Sequence, residues 1–249
     1  MIQVGFKSDK GKNRSNNEDA CFVLPKENIY MVADGVGGNN AGELASKTAV
    51  VHIADYVRNN PIDTEKDDLW LGEYFKKAIQ RANGDILELS KEKKENRGMA
   101  TTFLMCYLVE DKAYFINVGD SRAYLFRENE LFQLTEDHTY VNSLVKLGVI
   151  TQEEAKDHKK GHVITRALGA EKFINADFYQ TNLVEGDVLL LCTDGLYGEV
   201  PEEELCKMII KEKNMSKLAK LLVNEANELG GRDNITVVCL KVAGGNKDE

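Results

Sequence analysis

The sequence predicts an α+β fold, a central antiparallel β-sandwich flanked on the outside by pairs of antiparallel helices, and three observations carry that prediction. Ten short apolar runs bounded by turn residues read as strands, a large share of a 249-residue chain. The strands follow one another through hairpin-like turns instead of alternating strictly with helices, which favours antiparallel over parallel sheets. Apolar residues at helical spacing occur in adjacent pairs of segments, each pair set between blocks of strands.

In chain order, the first strands are IQVGFKS (2–8), ACFVLP (20–25) and IYMVAD (29–34). A helix follows on Ala45, Ala49, Ile53 and Val57, and a second on Leu71, Phe75, Ala78, Ala82, Ile86 and Leu89, with steps of three or four residues in each. The next block of strands is TTFLMCYLV (101–109), KAYFINV (112–118), RAYLFR (122–127) and LFQLT (131–135), the last two joined by the turn residues Arg127, Glu128, Asn129 and Glu130. After ADFYQTNL (176–183) and DVLLLCT (187–193), the stretch PEEELCKMIIKEK opens on Pro201 and three glutamates, good chemistry for a first helical turn. Leu218, Leu222, Ala226 and Leu229 line one more helix, and NITVVCLKV (234–242) is the last strand.

Hydrophobic residues make up 43% of the chain and charged residues 29%, enough apolar material for a core. Three prolines and no repeat or low-complexity stretch leave no linker, so residues 1–249 are expected to form a single domain. The formal net charge is −9 and no window concentrates Lys and Arg, which disfavours nucleic acid. The run Lys91, Lys93 and Lys94 is interleaved with Glu92 and Glu95 and reads as a solvated helix face. No segment approaches the ~20 apolar residues of a membrane span and the first residues lack a signal-peptide core, so a cytoplasmic protein without membrane contact is expected. The five cysteines form no CxxC pair and mostly sit in strand-like runs, where a free thiol serves as a small hydrophobe.

Aspartates recur at the ends of apolar strands: Asp34, Asp120 and Asp194, each beside a glycine. Any one of them reads first as a turn residue. Three at strand ends can converge on one sheet edge, where like charges need a compensating cation, and all-oxygen ligands select hard divalent ions such as Mg²⁺ or Mn²⁺. His52, His138, His158 and His162 form no zinc-type helical pair, so each is expected to be structural or exposed. The loop DGVGGNNAGELAS lacks the GK[ST] of a phosphate-binding P-loop and the spacing of GxGxxG. A phosphatase cysteine with arginine six residues on is excluded, because those positions are Glu27, Lys112, Gly198, Glu212 and Gly245. No GxSxG nucleophile elbow is present either.

The ordered set RSNNEDA (14–20), VADGVGG (32–38), MATT (99–102), VGDSRAYL (118–125), TEDHT (135–139), HVITRALG (162–169), LLLCTDGLYGEV (189–200) and GGRDNITVV (230–238) resembles the bacterial branch of the PPM, or PP2C-like, family of metal-dependent serine/threonine protein phosphatases. The resemblance spans essentially the whole chain, and it implies the same α-β-β-α architecture that the strand and helix pattern gives. Carried over position by position, it makes Asp34 the carboxylate bridging two metals and the Gly35 carbonyl a ligand of the second. Asp194 and Asp233 resemble the remaining carboxylates of the first metal, and Asp19 the residue that holds the second metal's waters, with Glu18 a weaker candidate for that task. Asp120 resembles the ligand of a weaker third ion shared with Asp194.

The resemblance further implies Mn²⁺ or Mg²⁺ as cofactors, phosphorylated proteins as substrates, and direct attack of a metal-held water on phosphorus without a covalent intermediate. Arg14 would clamp the phosphate, since a guanidinium binds two oxygens in parallel. A flap near residues 145–160, an opposing Ser/Thr kinase and a monomeric state are expected on the same ground. One departure stands out: Val36 and Asn39 occupy the loop where relatives carry a histidine after the bridging aspartate, so that loop offers no histidine as proton donor and metal-held water is the alternative. Two rival functions share these features. Another two-metal phosphoester hydrolase is disfavoured by the acidic charge when the substrate is nucleic acid, and a non-catalytic binding module is disfavoured because every matched ligand position is intact.

Overall fold

The computed structural model describes residues 1–38, 41–156 and 158–244. Its first half contains β1 (Ile2–Asp9), β2 (Asp19–Leu24), β3 (Ile29–Val36), α1 (Ala41–Asn59), α2 (Asp68–Glu92), β4 (Ala100–Thr101), β5 (Phe103–Val109) and β6 (Lys112–Val118). The second half adds β7 (Arg122–Arg127), β8 (Glu130–Gln133), α3 (Tyr140–Lys146), α4 (Gln152–Lys156), β9 (Asp177–Asn182), β10 (Val188–Cys192), α5 (Asp194–Tyr197), α6 (Glu202–Lys211), α7 (Met215–Leu229) and β11 (Ile235–Val242). Sheet one has the order β1-β11-β10-β7-β8 and sheet two the order β2-β3-β5-β6-β9, with β4 pairing the end of β3. Every pairing is antiparallel.

The period of two along each strand divides the apolar residues among three cores. Leu189 and Leu191 of β10, Val238 and Leu240 of β11, and Tyr30 and Val32 of β3 meet between the sheets. Val188, Leu190 and Cys192, with Val237 and Cys239, face outward onto Leu205 and Ile209 of α6 and Leu218, Leu222 and Ala226 of α7. Ile29, Met31 and Ala33 face α1 and α2 on the other side. Strands β10 and β11 are covered on both faces, which is why they read as unbroken apolar runs instead of alternating ones. Each fully buried leucine contributes about 2 kcal/mol.

The helices begin where their sequences provide a cap: Asp67 accepts from the Trp70 N–H ahead of α2, and Asn214 from the Lys217 N–H ahead of α7. Pro201 immediately precedes α6, whose first turn carries Glu202, Glu203 and Glu204 and whose last turn carries Lys211, in accord with the helix dipole. The turn expected between β7 and β8 is a tight hairpin with Glu128 and Asn129 at positive φ.

All ten predicted strands and four predicted helices are present. Sequence periodicity does not detect β4, α3, α4 or α5, since two to seven residues are too few to show a repeat. The excursion that contains α3 and α4 leaves and rejoins the sandwich at the Thr139 and Ile164 bridge, and the expected flap lies within it. Asn39 and residue 157 of that flap lie outside the described residues. Antiparallel order then brings the start of β2, the end of β3, the end of β6, the end of β10 and the start of β11 to one edge of the sandwich.

Candidate metal centre and substrate groove

Sheet two contributes two facing carboxylates. The β2–β3 register sets Asp19 opposite Asp34, and Asp19 accepts a hydrogen bond from the Thr193 hydroxyl at 2.8 Å. The Asp34 backbone is fixed on its other side, where its N–H donates to Thr102 Oγ1 at 2.9 Å and its carbonyl accepts from the Thr102 N–H and the Thr101 hydroxyl. Gly35 follows where the chain passes against the Gly42 carbonyl of α1, so close that a β-carbon would collide with it. Only glycine permits that approach.

Sheet one supplies Asp194 as the first residue of α5, directly after β10, and Asp233 from the loop that enters β11. Asp233 Oδ2 accepts from Arg14 Nη2 at 2.7 Å, so the expected phosphate clamp and an expected metal ligand are already paired. The Arg14 loop is fastened by Asn234, whose amide donates to the carbonyls of Lys10 and Asn16 and whose oxygen accepts the Glu18 N–H at 2.7 Å. Glu18 thereby holds its place mainly through its backbone, which also accepts from the Gly35 N–H and the Ser46 hydroxyl. Asp120 sits just past β6, behind Gly119 at φ +108°, and its carbonyl accepts from the Tyr197 hydroxyl at 2.9 Å.

These carboxyls perturb one another. Burial, and then the charges of Asp19, Asp194, Asp120 and Asp233, push the Asp34 carboxyl well above the ordinary carboxylate range. Burial chiefly, with Asp194 and Asp233 adding to it, raises Asp19 to about 7, and burial with Asp194 and Asp137 raises Asp120 to about 7. Burial and Asp233 raise Asp194 as well. Asp19 Oδ1 and Asp194 Oδ1 are buried and accept no hydrogen bond from the described residues. Buried oxygens without donors, in a set of mutually repelling carboxylates, fit a hard divalent cation. Among the described residues no three His, Cys, Asp or Glu side chains are grouped so as to hold a metal ion by themselves. Ions that keep several waters need only one or two carboxylates each.

Arg14, Glu18, Asp34, Gly35, Asp120, Asp194 and Asp233 all line one cavity of about 290 Å³. Asp19, the remaining expected residue, lies buried just behind it at 5% exposure. His162 and Ile164 also line the cavity, on the return from the flap excursion. A larger groove of about 1070 Å³ leads away between the flap side (Val141, Val145, Lys156) and Tyr197, Glu199 and Arg232. His162 is exposed, one of the two outcomes expected of each histidine, and it borders both spaces, where it works against the upward shift of Asp194. His138 keeps the structural role, buried with Nδ1 accepting the Gly119 N–H and Nε2 on Asp177. The Thr102, Thr193 and Asn234 contributions were invisible in sequence, where they are ordinary strand-end polar residues. The buried thiols of Cys106, Cys192 and Cys239 are all pushed upward by burial, Cys239 to about 12, and are poor nucleophiles.

A family model described as Protein phosphatase 2C matches residues 9–229. The serine/threonine phosphatase stp of Listeria monocytogenes serotype 4b is 36% identical over 245 residues, covering 96% of each chain. The serine/threonine phosphatase of S. agalactiae superposes with a TM-score of 0.89 at 32% identity, over 97% of this chain and 100% of that one. The catalytic domain of the serine threonine protein phosphatase PstP, solved with two manganese ions, superposes with a TM-score of 0.84 at 31% identity, over 98% and 99% of the two chains.

Proposed function

The chain belongs to the protein phosphatase 2C family, and from that premise we propose that the cavity at the sandwich edge hydrolyses phosphoserine and phosphothreonine in proteins with divalent cations held by Asp34, the Gly35 carbonyl, Asp194 and Asp233. The protein is a metal-dependent serine/threonine phosphatase. One observation carries the assignment of residues: Asp34 sits in the combined field of Asp19, Asp120, Asp194 and Asp233 at the floor of a cavity that also receives a guanidinium. When bound, the cations lower the pKa of water and screen the phosphate's charge.

The chain's own groups do the rest. Arg14, 49% exposed and bonded to Asp233 through one nitrogen, keeps guanidinium donors free for phosphate oxygens. Asp19, and less directly Glu18, would hold waters of a second ion. His162 stands where a proton can be delivered to the leaving serine or threonine oxygen, a task the Val36 loop cannot perform with a histidine. Asp120 with Asp194 would hold a weaker third cation. Mn²⁺ and Mg²⁺ both suit the all-oxygen donor set. The larger groove receives the polypeptide around the phosphorylated residue, with the flap as one wall of a single phosphatase domain over residues 1–249.

Phosphorylated proteins are the substrates, and a Ser/Thr kinase that makes them is the opposing partner. No helix among the described residues is long and apolar enough to cross a membrane, and we place the enzyme in the cytoplasm as a monomer. The test is release of phosphate from a phosphothreonine peptide with added Mn²⁺ or Mg²⁺ and with chelator, using a phosphodiester as control. Metal-dependent release from the monoester alone is expected; equal turnover in chelator, or preference for the diester, overturns the proposal.

A further inference from the structure

We infer that Glu199 is a positioning residue, a latch that fixes the loop 230–233 and so sets where Asp233 meets the core cations. The inference rests on the proposed reading of Asp233 as a ligand. Glu199 lies five residues past Asp194, on the same short segment. Its Oε1 accepts from the Arg232 backbone N–H at 3.0 Å and from Arg232 Nε at 2.7 Å, and its Oε2 accepts from Arg232 Nη2 at 2.9 Å. The bonds therefore gather both the main chain and the fork of the residue directly before Asp233.

An ordinary surface ion pair has little effect, because two mobile side chains lose freedom to form it in water. This pair differs in its burial. The arginine side chain is 71% exposed, yet the Glu199 side chain is only 4% exposed. Gly230 makes the fit possible: a β-carbon there would stand 2.7 Å from Glu199 Oε2. The far side of the loop is held too, since the Gly231 carbonyl accepts the N–H groups of Lys12 and Asn13 at 2.8 and 3.1 Å. Gly231 itself has φ +58°, a conformation that suits glycine. One buried carboxylate thus ties the Asp194 segment to the Asp233 loop and, through that loop, to the start of the Arg14 segment.

The experiment is calorimetric titration of Mn²⁺ into the metal-free protein, with melting in chelator as a measure of folding. Loss of a partner that orients a ligand weakens metal binding about ten- to hundredfold, and Glu199→Gln should do so. The Mn²⁺ needed for half-maximal activity should rise by the same factor. Arg232→Lys keeps the charge and the backbone N–H but loses the fork, so it should weaken binding less, and the double variant should be no worse than Glu199→Gln alone. Should Glu199→Gln fail to fold, Arg232→Lys decides, because its side chain is exposed.

Unchanged Mn²⁺ affinity in the deciding variant overturns the latch. Asp233→Ala separates the two levels of the inference. If it loses Mn²⁺ affinity while Glu199→Gln does not, the latch alone is wrong. If Asp233→Ala binds Mn²⁺ like the parent, the ligand assignment fails and the latch falls with it.

Discussion

The two sheets furnish their carboxylates under different conditions. Asp19 and Asp34 of sheet two face each other on a strand ladder, and the strongest electrostatic influences on Asp34 beyond burial all come from other aspartates. Asp233, beyond the end of sheet one, is paired with Arg14, and Asp194 is eased by the charges of His162 and Arg14. The sheet-two half is electrostatically frustrated, with Asp19 and Asp34 both pushed upward by burial and neighbouring aspartates. The sheet-one half is partly compensated by the protein and shaped by loop staples such as Asn234. In the proposed reading a cation has most to gain at Asp34, while the other side receives the substrate's negative charge.

The sharpest way to break this comparison is Asp34→Asn. It removes the carboxylate on which the others converge, and activity should fall on the order of a thousandfold, equivalent to ~4 kcal/mol in the barrier. In chelator at neutral pH the same variant should melt a few degrees above the parent, because one buried, repelled carboxyl is gone. Turnover near the parent value would remove Asp34 from the centre of the site. A lower melting point in chelator would show that the frustration is not there.

Next in size is His162→Gln, which tests the sheet-one side from the flap return. A lost proton donor costs about a hundredfold when the leaving group is a serine or threonine alkoxide. A nitrophenolate leaves with far less help, so p-nitrophenyl phosphate should be hydrolysed only a few-fold more slowly. Parallel losses on both substrates would point to a binding or cation-holding role for His162 instead.

Arg14→Lys probes the compensation at Asp233 more gently. An ammonium retains the charge but cannot donate two parallel bonds to phosphate, so KM for a phosphopeptide should rise about tenfold (about 1.4 kcal/mol) with a smaller change in kcat. An unchanged KM would return Arg14 to the role of a structural partner of Asp233.

Much of this division is legible in the sequence, and the parts that are not have a common cause. Asp34, Asp120 and Asp194 declare themselves because each closes an apolar strand run. Asp19 and Asp233 lack that signature and are reached only through resemblance. The staples escape sequence reading because their partners are distant in the chain: Asn234 bonds to a carbonyl 224 residues away, and Arg232 to a glutamate 33 residues away. Local patterns report periodicity and turns, but a hydrogen bond between loops leaves no periodic trace. His162 gives no local signal for the same reason, since only the folded excursion between Thr139 and Ile164 brings it back to the cavity.

The smallest effect follows from the raised carboxyls themselves. Asp19 and Asp120 move from an ordinary 3.8 to about 7 in the fold, mainly through burial. Between pH ~4 and ~7 the folded metal-free chain therefore binds more protons than the unfolded chain, and stability falls as pH rises through that window. Above about pH 7 both states have released these protons, and the full cost of the crowded carboxylates is present. Cations compete with protons for the same oxygens, so the stabilisation gained from Mn²⁺ should be greater at pH 7.5 than at pH 5.5. For a chain of this length, 1 kcal/mol corresponds to roughly 2–4 °C in Tm, and the Mn²⁺-induced rise should differ by ~5 °C between the two values at fixed ionic strength. In Asp34→Asn the difference should shrink, since the carboxyl most crowded by its neighbours has been removed. An equal Mn²⁺ shift at both pH values would mean that protons do not occupy the cation's place, and the contrast between the two halves would then lie in backbone geometry alone.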